Sequence, residues 1–130
     1  MRVFINRLLL YFIVIAVISL GLWIFPSPWW LYLVPVFICG MVLSYWQPGE
    51  SYAMIGFIGG FITWLVVNWY FDWSIGGGML NKTGELMGLS GVWVFFIAGS
   101  IGGVTTSLSL YSGARCMYDI RQRNVNSSIR

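Results

Sequence analysis

The chain has 130 residues, 58% hydrophobic, 18% aromatic and 8% charged, with a net charge of +3 and no histidine. A soluble domain carries about 25% charged residues, and a mean hydropathy of +0.80 leaves too few here to cover a water-facing surface. The composition excludes a soluble domain and a disordered chain. It also excludes His-ligated haem or metal centres, leaving an integral membrane protein with room for about four spans.

The first span covers residues 8–25, from Leu8 to Phe25, in which only Tyr11 and Ser19 carry side-chain hydroxyls. About 18 residues at ~1.5 Å each are just enough to cross a bilayer. Arg2 and Arg7 precede this run as they would precede a signal peptide, but a signal core is shorter and no small-x-small cleavage site follows. Pro26-Ser27-Pro28 breaks the helix. The second span covers 29–46, with Pro35 either kinking it or marking its first turns. Gln47-Pro48-Gly49-Glu50 reads as a tight turn.

The third span covers 51–71 and is closed by Asp72. After it, Gly76-Gly77-Gly78 is flexible backbone without the Lys-Ser/Thr ending of a phosphate loop. Residues 79–88 read as a short interfacial amphipathic helix: Met79, Leu80, Thr83, Leu86 and Met87 share one side, and Asn81, Lys82 and Glu85 the other. The fourth span covers 89–111, and Ser112-Gly113 ends the apolar region before a basic tail at 112–130, of which Ala114 to Arg123 can extend the fourth helix into the cytoplasm. Cys39 lies inside an apolar run and Cys116 beyond the last one, so no disulfide is expected between them.

Orientation follows from the basic residues. Arg2, Arg7, Arg115, Arg121, Arg123 and Arg130 flank the termini, whereas only Lys82 lies between spans. Both termini are therefore expected in the cytoplasm, which requires an even number of spans. Trp23, Trp29, Trp30, Trp69 and Trp73 fall at the outer interface on this reading, and Tyr11, Tyr45, Trp46, Tyr52 and Tyr111 at the inner one. These are the two aromatic belts of headgroup level. The expected fold is an all-α, four-helix antiparallel membrane bundle forming a single domain over residues 1–130.

The third and fourth spans share a motif. Gly56-Phe57-Ile58-Gly59-Gly60-Phe61-Ile62-Thr63 and Gly99-Ser100-Ile101-Gly102-Gly103-Val104-Thr105-Thr106 agree at five of eight positions, and each contains GxxxG. Small residues let helix backbones approach closely, a main source of association in lipid. Both glycine pairs lie about 12 Å from the same predicted face of the membrane. A close crossing is expected there, with Ala53, Gly56, Gly60 and Thr63 against Gly99, Gly103 and Thr106.

Asn68, Thr105, Thr106 and Ser109 form a polar stripe that either bonds back to helix carbonyls or lines a wet path. Asn68 is expected to need a partner outside its own helix. Glu50, Asp72, Glu85 and Asp119 all fall at interfaces or in the tail, whereas a proton-coupled transporter places an ionisable group near the midplane. No set of acid, base, nucleophile or metal ligand assembles, so no enzyme and no cofactor are expected. In the tail, Arg115, Arg121 and Arg123 face little opposing charge and attract anionic lipid headgroups, at roughly 1 kcal/mol per basic residue. Nucleic acid is not needed to explain them.

The stretch from Phe57 to Gly113 resembles a group of small bacterial four-span membrane proteins with no assigned activity. It shares a glycine-rich third span ending in tryptophan, tyrosine and aspartate, a loop with Gly-Met-Leu and Glu-Leu-Met-Gly-Leu, and a fourth span with paired glycines. The resemblance implies the bacterial inner membrane. Gly102-Gly103-Val104-Thr105-Thr106-Ser107-Leu108-Ser109 also resembles a segment of dimeric fluoride channels. There, however, the segment lies in the third of four spans, a phenylalanine stands where Leu108 stands here, and an early arginine-containing glycine motif has no counterpart in residues 8–25. The leading expectation is an accessory or structural subunit of a larger membrane complex, partnered by the bilayer and by other subunits or copies of itself. The alternative is a small homo-oligomeric channel or carrier with span four lining the path.

Overall fold

The computed structural model describes residues 2–24, 29–46 and 51–128. The Pro26-Ser27-Pro28 break and the turn at 47–50 lie outside the described residues, as do the side chains of Arg2, Trp23, Trp29 and Arg130. Among the described residues five α-helices follow one another: α1 (Arg2–Ile24), α2 (Leu33–Trp46), α3 (Tyr52–Ser74), α4 (Met79–Met87) and α5 (Gly91–Ser128), with a 3-10 turn at Trp29–Tyr32 leading into α2. Helices α1, α3 and α5 each hold a stretch long and apolar enough to cross a membrane, and α2 is apolar but shorter. The chain has the build of a multi-pass membrane protein.

One helix boundary differs from the sequence expectation, and two open points are decided. Pro35 is the third residue of α2 and so marks its start, since first-turn amides lack intrahelical acceptors and a missing donor costs little there. Helix α3 runs past Asp72 to Ser74, and the Asp72 carboxylate accepts the Leu80 amide at 3.1 Å, tying α3 to the start of α4. Helix α5 continues past Ser112-Gly113 as one 38-residue helix to Ser128, so Ala114 to Arg123 extend it. The end of apolar sequence is a change of surroundings and not of backbone, because Ala114 to Arg123 contains no helix breaker.

Gly76, Gly77 and Gly78 all take positive φ, between 74° and 99°, a conformation that side-chain-bearing residues avoid. They let the chain turn from α3 into α4. Helix α4 then packs on α5, with Gly84 and Gly91 giving the close approach. Leu86 on α4 is 89% exposed and Met79 and Met87 are exposed too, so its apolar face is left uncovered.

Helices α2 and α3 each pack against both α1 and α5. Large aliphatic side chains fill the α1 side: Leu10, Val14 and Ile18 recur every four residues and are fully buried. On α3 and α5 the buried stripe is small: Gly56, Gly59, Gly60 and Thr63 on α3, and Gly99, Gly102, Gly103 and Thr106 on α5. Large apolar residues point outward, among them Phe12, Ile38, Ile58, Val66, Phe96 and Leu108. Small inside and large apolar outside is the inverse of a water-soluble bundle, and it suits helices whose outer faces contact lipid.

Candidate functional site

Two crossings on α5 organise the bundle. At the α3–α5 crossing, a Cβ added at Gly56 would lie 2.8 Å from Ser107 Cα and 3.1 Å from the Thr106 carbonyl oxygen. At Gly60 it would lie 2.5 Å from Thr106 Oγ1 and 2.8 Å from the Gly102 carbonyl, and at Gly103 2.9 Å from the Phe57 carbonyl. At Gly99 it would meet the Leu65 side chain at 2.7 Å. As α3 is followed from 56 to 65, its partners on α5 descend from 107 to 99. The structure thus brings Gly56, Gly60, Gly99, Gly103 and Thr106 together. Ala53 joins through its backbone, since Ser107 Oγ donates to the Ala53 carbonyl at 2.7 Å. Thr63 is buried and donates to the Gly59 carbonyl of its own helix at 2.8 Å.

The shared G-x-I-G-G motif serves different neighbours in its two copies. Gly59 turns to α1, where a Cβ would make only an ordinary 3.4 Å contact with Val14. Its counterpart Gly102 vacates the space that the Trp64 indole ring fills. Identity of motif therefore does not imply identity of role, because the two helices have different neighbours on that face.

The second crossing, between α2 and α5, was not visible as GxxxG. A Cβ at Gly40 would run into the Leu110 carbonyl, with the Ala114 amide nitrogen at 3.2 Å. A Cβ at Gly113 would run into the Phe37 carbonyl, with the Met41 amide nitrogen at 3.2 Å. Ser44 Oγ donates to the Ala114 carbonyl at 3.1 Å and Ser109 Oγ to the Leu33 carbonyl at 2.7 Å. The available signal was the looser small-xxx-small spacing of Gly40/Ser44 and Ser109/Gly113.

The stripe hydroxyls are largely committed inside the bundle. Thr105 Oγ1 donates to the Ile101 carbonyl of its own helix at 2.9 Å. With that single proton used, Tyr32 OH donates to Thr105 Oγ1 at 2.7 Å. Asn68 Nδ2 donates to the Trp64 carbonyl one turn back at 2.8 Å, so its own helix supplies the partner expected from elsewhere. Thr106 is 0% exposed, and its Oγ1 has no hydrogen-bond partner among the described residues. Gly60 is what it faces.

Tyr32 went unremarked in the sequence and joins four elements. It sits at the end of the 3-10 turn, fully buried. Its ring meets Trp64 of α3 edge-on, with centroids 5.9 Å apart. Its hydroxyl reaches Thr105 of α5, and its Cβ lies 3.3 Å from the position of a Cβ on Gly21 of α1.

Arg115, Arg121 and Arg123 lie on the exposed C-terminal part of α5. Arg115 Nε is 3.9 Å from Asp119 Oδ1, and its guanidinium lies 5.4 Å from the centre of the Tyr118 ring. No group of three or more acidic, cysteine or histidine side chains able to hold a metal occurs among the described residues. No family model, curated protein or solved structure matches this chain.

Proposed function

We propose that the chain is a small accessory or structural subunit of a larger membrane protein complex, acting by helix packing with no chemistry of its own. The observation that carries this reading is the fate of the polar stripe. Thr105, Ser107 and Ser109 place their hydroxyls on Tyr32 or on backbone carbonyls of this same chain, so they glue the bundle and do not present a lining. What the bundle offers to its surroundings is apolar helix surface and an uncovered apolar face on α4.

The accompanying topology is four antiparallel spans with both termini in the cytoplasm of a bacterial inner membrane. The opposed register of α3 and α5 and the six basic residues near the termini, against one between spans, support it. A homo-oligomeric channel is the competing reading, and the buried, unbonded Thr106 hydroxyl is the observation in its favour.

The test is purification of the tagged full chain in mild detergent, with mass spectrometry of whatever co-migrates. Stoichiometric foreign subunits support the accessory role, and their identity names the complex. A clean homo-oligomer that carries ion flux in liposomes, with flux altered by Thr106→Val, replaces it with the channel.

A further inference from the structure

A groove of about 350 Å³ opens where α2 ends, α3 begins and α5 turns from apolar to polar sequence. Among the described residues it is lined by Ser44, Tyr52, Ala53, Tyr111, Arg115 and Tyr118, together with Ser51 and Ala114. The walls are held. Tyr52 OH donates to the Leu43 carbonyl at 3.1 Å, fixing α3 to α2, and Ser44 Oγ fixes α2 to α5 through the Ala114 carbonyl.

The groove has two chemistries. Tyrosine rings and alanines line it beside two serines, and Arg115 is its cation. Among the described residues that cation's acidic partner is Asp119, at 3.9 Å and the limit of an ion pair, with the two side chains 62% and 56% exposed. Such an exposed pair is held weakly. Tyr118 OH accepts a hydrogen bond from Gln122 Nε2 at 3.0 Å and keeps its own proton to donate. A guanidinium binds phosphate through paired N–H groups, and a basic pocket between spans at the membrane edge is the setting in which anionic headgroups are held.

We propose that this groove is a binding site for one phospholipid with an anionic headgroup, its phosphate on Arg115 and the Tyr118 hydroxyl and the head of its acyl chains against Ala53 and the tyrosine rings. The site rests on the membrane reading of the chain and is independent of the accessory role. It also divides the basic tail. Arg115 lines this groove, whereas Arg121 and Arg123 lie about two turns beyond it on exposed helix and do not line it; Arg121 lines a separate pocket with Tyr118 and Gln122.

The test is native mass spectrometry of the delipidated full chain in detergent, titrated with phosphatidylglycerol or with phosphatidylcholine of the same acyl chains. One phosphatidylglycerol per chain is expected to be retained, with phosphatidylcholine bound about tenfold more weakly. Arg115→Gln is expected to lower the affinity about tenfold, and Asp119→Asn to raise it about threefold by removing the competing carboxylate. Ala53→Leu fills the groove without changing charge and weakens binding too. If that variant fails to fold, the opposite effects of the two charge variants still decide the matter. Arg121→Gln and Arg123→Gln are expected to change the affinity by less than about twofold. Equal losses from Arg115→Gln and Arg121→Gln would overturn the site in favour of diffuse surface charge. Equal retention of the two lipids would overturn the headgroup assignment. Displacement of the lipid by inorganic phosphate at matching concentration would overturn the lipid as the occupant.

Discussion

The two crossings on α5 close in different ways. Against α3, glycine makes room partly for backbone and partly for side chains: Thr106 at Gly60, Leu65 at Gly99, the Trp64 ring at Gly102. Against α2, both glycines face main-chain atoms, the Leu110 carbonyl at Gly40 and the Phe37 carbonyl at Gly113. A side chain can change rotamer to admit a methyl group, whereas a helical carbonyl can move only if the helix moves. The crossing that announces itself as a repeated motif is therefore the more forgiving one, and the crossing hidden in looser spacing is the stricter.

The largest effects are expected where the obstacle is backbone. Gly113→Ala and Gly40→Ala should each destabilise the fold by about 3 kcal/mol, the upper end for overpacking. Helix loss in mixed detergent and dodecyl sulfate, followed by circular dichroism, measures this. Retention of wild-type stability in either variant would break the distinction between the crossings.

Gly102→Ala comes next, at about 2 kcal/mol, and here the obstacle is removable. Adding Trp64→Leu should recover more than half of that loss, whereas adding Phe37→Ala to Gly113→Ala should recover none, since the Phe37 carbonyl remains. This pair of double mutants is the sharpest test of side chain against backbone.

Hydroxyls should matter less. Ser109→Ala removes the bond from α5 to the Leu33 carbonyl and should cost about 0.6 kcal/mol, as should Ser107→Ala, which frees the Ala53 carbonyl. Thr106→Val removes a buried hydroxyl without a bonded partner among the described residues, keeps the volume, and should be neutral or stabilising. A cost above about 1 kcal/mol for Thr106→Val would show that the hydroxyl has a partner, such as a bound water, in the membrane. The smallest effect belongs to Gly59→Ala. Its Cβ finds an ordinary 3.4 Å contact with Val14, and alanine favours helix, so stability should be unchanged or raised by up to about 1 kcal/mol.

Much of the molecule was legible along the chain because membrane helices are specified locally. Runs of apolar residues set α1, α3 and the first part of α5, and the alternating faces of 79–88 set α4. The α3–α5 crossing was legible because GxxxG is a local pattern and the two copies lie at matched depth. Gly40 and Gly113 were not, because each is a single glycine whose meaning depends on which helix lies opposite. Tyr32 was not legible either. Nothing adjacent to it in sequence foretells a bond to Thr105, seventy-three residues away.

Composition alone determined the solvent: with 8% charged residues the chain must bury its helices in an apolar medium. It determined the helices as well, because in lipid each span must satisfy its own backbone hydrogen bonds. Tertiary structure decided the neighbours. It set Gly102 on Trp64 and Gly59 on Val14 despite their identical motifs, turned Ser107 and Ser109 into interhelical bonds, and shaped the groove beside Arg115. The physical reason is that a helix's outward and inward faces are equally apolar here, so hydropathy cannot distinguish them. Only close packing, with the van der Waals contacts and hydrogen bonds it allows, picks the face that turns inward.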